Sequence, residues 1–202
     1  MLKIHGIARS RAFRCIWAAE EAGLPYEVIP VGFGPGLKDA IAAVNPNGKI
    51  PALTDGDLVL FESLAINLHI AAKAGAPLMP AGDDASRVLQ WSFWAATEVE
   101  PSAGQWAYNT YLKPADQRDP AAAKAGAEGV AARLAVLEGH LAKGGPWLLG
   151  ASYTIADCNL AAVLYGAWSN GFDFGPFPKA KAWLDACVSR PAALAARKQR
   201  EG

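Results

Sequence analysis

This sequence lacks an excess of either charge: lysine plus arginine and aspartate plus glutamate both number 19 among its 202 residues. A nucleic-acid-binding domain usually carries a basic excess, so the balance argues against that class. Charged residues make up only 19% of the chain and hydrophobic residues 52%, against roughly 25% charged in an average soluble domain. The apolar surplus is mostly alanine in helical stretches, which leaves room for a buried subunit interface.

Cysteine is also scarce. Cys15, Cys158 and Cys187 are odd in number and widely spaced, which fits neither a disulfide framework nor a metal-ligand pattern. Residues 1–6 have the character of a strand, so we expect no signal peptide. No apolar run approaches the roughly 18–20 residues of a membrane span. We therefore expect a cytoplasmic protein in a reducing compartment, with a core large enough to need no disulfide or metal.

The N-terminal part of the chain alternates between predicted strands and helices. Gly23 stops the first helix, Pro46 stops the second, and Asp55-Gly56-Asp57 is a strong hairpin-turn signal. The predicted elements are strand 2–7, helix 11–22, strand 25–31, helix 37–44, strands 50–54 and 58–61, and helix 63–73. The order is therefore β-α-β-α-β-β-α.

The C-terminal part shows only helical patterns. Prolines and glycines cluster before it, so we predict a first domain over 1–76, a linker over 77–83 and an all-helical domain over 84–202. The predicted helices of that second domain are 84–111, 120–143, 155–168 and 178–189. Thr154 and Asp157 form a capping box with aspartate in place of glutamate. We interpret this box as structural, worth about 0.5–2 kcal/mol.

Two short motifs suggest a binding site. The segment 45–53, Asn-Pro-Asn-Gly-Lys-Ile-Pro-Ala-Leu, places an X-Pro bond at a tight turn before an apolar strand. A free backbone edge there can bind an extended peptide as an added strand. The segment 62–66, Glu-Ser-Leu-Ala-Ile, places a carboxylate and a hydroxyl where a strand ends and a helix begins. Glu62 can take an ammonium group, and Ser63 with the helix N–H groups can take a carboxylate. Together the motifs indicate a site for a small zwitterionic peptide.

The two motifs resemble the glutathione-binding half of the cytosolic glutathione transferases, in which they read N-P-x-G-K-[IV]-P-x-L and E-S-x-A-I. The resemblance implies an α+β thioredoxin-like N-terminal domain, followed by an all-α helical-bundle domain. It also implies that Pro51 is cis, that glutathione is the co-substrate, that a small electrophile is the second substrate, and that the protein is a homodimer. No metal, nucleic acid or membrane partner is implied.

The resemblance places the thiol-activating group in the loop after the first strand, where family subclasses carry Tyr, Ser or Cys. This loop has neither Tyr nor Cys, so Ser10 matches the serine-type, bacterial-like members. The hypothesis is that the Ser10 hydroxyl donates a hydrogen bond to the glutathione sulfur and stabilises the thiolate. Ser10 as a mere helix cap is the structural alternative. Arg9 or a backbone N–H group could dominate the activation instead.

The resemblance also assigns the binding residues. The Ile50 backbone pairs with the cysteinyl unit beside Pro51, Glu62 and Ser63 hold the γ-glutamyl end, and Lys49 offers its charge to a carboxylate. Aromatic residues of the helical part are candidates for an electrophile pocket, with core packing equally compatible. They are Trp106, Tyr108, Tyr111, Trp168 and Phe172.

Two other functions fit the same motifs. A glutathione-dependent isomerase or dehalogenase needs the same activated thiolate. A non-catalytic glutathione- or ligand-binding stress protein would keep the peptide site without efficient chemistry. A thiol-disulfide reductase is disfavoured because the loop after the first strand has no cysteine.

Overall fold

The structure, a computed structural model, describes residues 1–202 and divides into two compact units. The first unit contains Met1–Ala81 together with Ser189–Gly202, and the second contains Gly82–Val188. This division differs from the predicted one, in which 84–202 form a single domain. The end of the chain returns to the N-terminal unit.

A four-stranded mixed sheet with helices forms the first unit, and the predicted β-α-β-α-β-β-α order is confirmed. The elements are β1 Leu2–His5, α1 Ala12–Ala22, β2 Tyr26–Ile29, α2 Leu37–Ile41, β3 Ala52–Asp55, β4 Leu58–Phe61 and α3 Ser63–Ala74. Strand β1 pairs in parallel with β2 and antiparallel with β3, and β4 completes the order β2-β1-β3-β4.

Local sequence explains how these elements form and end. In β1, Leu2 and Ile4 are buried while Lys3 between them is exposed, as the period of two in a strand requires. Helix α1 ends at Gly23, which has a φ of 61° and donates its N–H to Glu20 O. Glycine adopts this left-handed conformation without a steric penalty, so it fixes the end of the helix.

The strand register places three chain segments at one end of the sheet. His5 of β1 lies opposite Ala52 of β3, and Ala52 in turn lies opposite Phe61 of β4. Strand β1 ends at His5, β3 begins at Ala52 and β4 ends at Phe61. The loop after β1, the turn before β3 and the start of α3 therefore emerge side by side.

The helix α9, Pro191–Glu201, belongs to the first unit and packs against α1. It was not among the predicted elements. Arg190, directly before the helix, donates from Nε and Nη2 to the two carboxylate oxygens of Glu21 at 2.8 and 2.7 Å. A two-point guanidinium–carboxylate pair fixes orientation as well as distance, so it anchors the beginning of α9.

The second unit is all-helical, as predicted. Its helices are α4 Asp83–Trp94, α5 Glu100–Ala107, α6 Pro120–Leu141, α7 Ile155–Ser169 and α8 Pro178–Val188. Turns of π-helix over Ala95–Val99 and Tyr108–Leu112 follow α4 and α5. Nearly every residue of α7 is buried, so α7 forms the core of this unit. None of the helices has both the length and the apolar character that crossing a membrane requires.

Candidate functional site

Ser10 lies in the loop between β1 and α1 and is 8% exposed. Its hydroxyl donates to Ile7 O at 2.7 Å and accepts the N–H of Ala12 at 3.1 Å. The second bond satisfies the N–H of Ala12, the first residue of α1, so Ser10 has a capping role although Arg11 occupies the N-cap position. Its Oγ thus sits directly at the N-terminus of α1, where the helix dipole favours a negative charge. The capping role and the proposed catalytic role share one position.

Gly6 brings Ser10 and Ile50 close together. Its φ is 149°, and a Cβ atom placed on it would lie 2.9 Å from the Ala12 Cβ, 3.5 Å from the Ile50 Cβ and 3.6 Å from the Ser10 Oγ. The first distance is shorter than real Cβ contacts, so only glycine fits here without a shift. The absence of a side chain at Gly6 therefore lets the loop lie against the turn before β3.

The turn before β3 carries a cis peptide bond between Ile50 and Pro51, as expected. Ile50 has no partner residue in either ladder of β3, whose pairing begins at Ala52. The buried Asn45 donates from Nδ2 to Lys49 O at 2.6 Å and accepts the Asn47 N–H at 3.0 Å. These bonds position the turn. Asn45 was not among the predicted site residues, although asparagine in such a turn is a signal for this side-chain bond.

Glu62 and Ser63 stand at the junction of β4 and α3. Glu62 is the one non-glycine residue with a positive φ, 71°, and its side chain is exposed. Such a conformation costs about 1–3 kcal/mol and tends to occur at functional sites. Ser63 is buried and accepts a hydrogen bond from Arg14 Nη1 at 3.3 Å. The junction thus presents one carboxylate to solvent beside a hydroxyl backed by a guanidinium group.

Arg14 and Asn67 hold this junction to α1. Asn67 was not among the predicted site residues, yet its Nδ2 donates to Arg14 O at 3.2 Å and its side chain is fully buried. Arg14 is also buried, so its charge is directed to Ser63 from inside the unit. Neither contact could be predicted from neighbouring residues, because the partners lie about fifty residues apart in the chain.

The other polar candidates are less constrained. Lys49 and Arg9 are exposed. Lys38 is exposed as well, and its Cγ would be 2.8 Å from a Cβ on Gly48, so it lies beside the Lys49 turn. Burial raises the pKa of the Cys15 thiol far above its usual range, so this cysteine stays a neutral thiol. Cys15 is therefore unsuited to be a nucleophile.

Some of the aromatic candidates meet within the second unit. The Trp106 ring makes edge contacts with Tyr111 and Phe172, at centroid distances of 5.7 and 5.4 Å. Trp168 instead donates its Nε1–H to Asp185 at 2.8 Å, which links α7 to α8. Tyr108 is exposed. The predicted set therefore splits into a cluster of three rings, one structural tryptophan and one surface tyrosine.

Comparison with known proteins agrees with this architecture. Residues 2–72 match the family model of the glutathione S-transferase N-terminal domain, and residues 99–191 match that of the C-terminal domain. The chain is 35% identical to glutathione S-transferase 3 of Zea mays, over 95% of this chain and 90% of the relative. It is 33% identical to the disulfide-bond oxidoreductase YfcG of Escherichia coli strain K12, over 86% and 83%.

Among solved structures, the theta class glutathione S-transferase from Xanthomonas axonopodis pv. citri, with glutathione bound, superposes with a TM-score of 0.89. The two chains are 31% identical, and the match covers 96% of each. The N-terminal fold and the helical C-terminal fold inferred from the two motifs are thereby confirmed together. The chain belongs to the glutathione S-transferase family.

Proposed function

We propose that this protein is a glutathione transferase that uses Ser10 to stabilise the glutathione thiolate and adds it to an apolar electrophile. One observation carries the proposal: the sheet register brings the Ser10 loop, the Ile50–Pro51 turn and the Glu62–Ser63 junction to the same end of the sheet. To bind an extended tripeptide and activate its thiol, a site needs a backbone edge that pairs with the peptide, a hydrogen-bond donor at the sulfur and charged groups at the ends of the peptide. These three segments supply them.

The Ser10 hydroxyl has one proton to donate. In the structure that proton goes to Ile7 O. To stabilise a thiolate, the hydroxyl rotates about its C–O bond and donates to sulfur instead, while its oxygen still accepts the Ala12 N–H. A hydrogen bond to a charged acceptor is worth about 1.5–3 kcal/mol, more than a neutral bond to a carbonyl. The exchange is therefore favourable once the thiol has lost its proton.

The two charged groups of the γ-glutamyl end find opposite partners at the junction of β4 and α3. The exposed Glu62 carboxylate pairs with the γ-glutamyl ammonium group. Ser63, with Arg14 behind it and the first N–H groups of α3 beside it, receives the γ-glutamyl carboxylate. Ile50 offers its backbone edge to the cysteinyl unit, and Lys49 offers its ammonium group to a carboxylate.

Replacing Glu62 with glutamine should weaken glutathione binding about ten- to a hundredfold, because a hydrogen bond loses its charge. Calorimetric titration with glutathione measures the change. The matched control is Asp57→Asn, which removes the same charge from an exposed position in the β3–β4 turn. If both variants bind alike, Glu62 does not contact the ammonium group.

The identity of the second substrate is tested by turnover. We expect purified protein to consume glutathione with an activated aryl halide, forming the thioether and releasing halide. A mixed disulfide is the matched comparison substrate, because one relative is named a disulfide-bond oxidoreductase. Glutathione binding without turnover of either substrate would favour a non-catalytic binding protein.

A homodimer and a cytoplasmic location complete the proposal. The edge strand β4 leaves Leu58, Val59 and Phe61 about 40% exposed, and an exposed apolar edge is a surface on which another chain can pair. A second copy is the occupant we propose, and light scattering of the purified protein measures it. All three cysteines are buried thiols, which fits a reducing compartment.

A further inference from the structure

The loop that carries Ser10 is attached to the other end of the chain. Arg200, on α9, donates from Nη1 to Ala8 O at 2.8 Å and is 3.4 Å from Ser10 O. Its guanidinium carbon lies 5.1 Å from the centroid of the Phe13 ring in α1. One cation therefore contacts the loop before Ser10, Ser10 itself and the first turn of the helix that follows.

The position of α9 does not depend on Arg200. At the beginning of the helix, Arg190 forms its two-point pair with Glu21, whose side chain is 3% exposed. Near the end, Gln199 donates to the Tyr26 hydroxyl at 2.7 Å. Removing the Arg200 side chain should thus leave α9 in place while it frees the loop from its charged donor.

Hydrogen bonds to its own carbonyl groups fix the conformation of the loop. Ile7 O accepts the N–H and the hydroxyl of Ser10, and Ser10 O accepts the N–H of Phe13. Arg200 adds a charged donor to the two carbonyls on either side of Arg9. Charged donors make the stronger hydrogen bonds, so Arg200 limits how far the segment from Ala8 to Ser10 can move.

We propose that Arg200 is a positioning residue for thiol activation: it holds the 8–10 loop so that the Ser10 hydroxyl faces the glutathione sulfur. The inference rests on the proposed function of Ser10 and extends it to the C-terminal helix. Arg200 acts through Ser10 and the loop backbone, without touching glutathione. Small displacements of a group at a reacting atom have large effects on rate.

The test is the pH titration of bound glutathione, followed by thiolate absorbance at about 240 nm. Arg200→Met should raise the pKa of the bound thiol by about half a unit to one unit. It should lower kcat below neutral pH about three- to tenfold with little change in KM for glutathione, as loss of a transition-state interaction does. Arg200→Lys keeps a charged donor and should recover most of the loss. It also serves as the second variant if Arg200→Met does not fold.

Two comparisons separate positioning from a general loss of structure or charge. Lys198→Met removes one positive charge from an exposed position of α9 and should leave the thiol pKa and kcat unchanged. In the Ser10→Ala background, Arg200→Met should have almost no further effect, because residues that act through one group are not additive.

Three results would overturn the inference. In the first, Arg200→Met matches Lys198→Met in thiol pKa and kcat. In the second, the effects of Ser10→Ala and Arg200→Met add fully. In the third, Ser10→Ala leaves the thiolate band intact, which removes the proposed function of Ser10 as well. The first two results contradict only the role of Arg200 and leave the proposed function of Ser10 intact. Failure of the inference can therefore be distinguished from failure of the proposed function.

Discussion

Replacing Ser10 with alanine should raise the pKa of the enzyme-bound glutathione thiol by about one to two units. The hydroxyl bond to the thiolate is worth about 1.5–3 kcal/mol, and one pKa unit corresponds to 1.36 kcal/mol. The N-terminus of α1, worth about 0.3–1 kcal/mol, remains in the variant, so part of the activation persists. Absorbance of the thiolate during a pH titration measures the shift directly.

The effect on rate should depend on pH in a defined direction. Below the wild-type thiol pKa, the variant holds about ten- to a hundredfold less thiolate and conjugation slows accordingly. As the pH rises through the higher pKa of the variant, the thiolate forms without the serine and the rates converge. The more basic thiolate is intrinsically the better nucleophile, so the deficit disappears at high pH. Below the wild-type thiol pKa, where both proteins bind the neutral thiol, the affinity for glutathione should change little, and it should fall in the variant above that pKa because the bound thiolate loses its hydrogen bond.

Two further variants decide which group of the loop acts on the sulfur. Ser10→Thr keeps the hydroxyl and should keep a lowered thiol pKa. Arg9→Met removes an exposed charge next to Ser10 and should leave the thiolate band in place. If Arg9→Met abolishes the band and Ser10→Ala preserves it, thiol activation belongs to Arg9. A thermal melt of Ser10→Ala controls for the lost cap, which costs about 0.5–2 kcal/mol.

The parts of the fold that were predictable have local causes. The stops at Gly23 and Pro46 and the Asp-Gly-Asp turn each act within a few residues, and they allowed the element order to be predicted. Helix α9 was missed, although Pro191 at its first position and the alanines after it are local helix signals. Its membership in the first unit has no local signal. It depends on residues such as Arg190 and Gln199, whose partners lie at least 169 residues away in the chain.

The candidate site likewise contains residues with a local sequence signal and residues without one. The sequence alone indicates Ile50, Glu62 and Ser63 as candidate binding residues, because turn and helix-start chemistry is visible in a short stretch of sequence. The residues that support them, such as Arg14 and Asn67, act across the packed interior. A buried polar side chain looks like any other in a sequence until its partner is known. The structure therefore adds to the site mainly the groups that hold it in place.

The largest expected loss of stability comes from Asp157→Ala, at about 3–5 kcal/mol. The predicted capping box is present at the start of α7, where Oδ2 accepts from the N–H and hydroxyl of Thr154. In addition, Oδ1 accepts from the Leu148 N–H and the Trp183 indole N–H, both at 2.9 Å. Alanine would leave these buried donors unsatisfied, each at about 1–3 kcal/mol. The loss of about 0.5–2 kcal/mol expected from the capping box alone is therefore too small.

Asp119→Ala is the control, because it removes an aspartate cap from the exposed start of another helix, α6. Asp119 accepts only from Ala121 and Ala122 at the start of α6, so its loss should cost about 0.5–2 kcal/mol. Urea unfolding of both variants measures the two free energies. Equal losses would mean that the bonds to Leu148 and Trp183 contribute nothing, and that the carboxylate of Asp157 acts on its own helix alone. A clear excess for Asp157→Ala would show that one side chain joins α7, α8 and the 147–150 turn, because its four bonds reach all three.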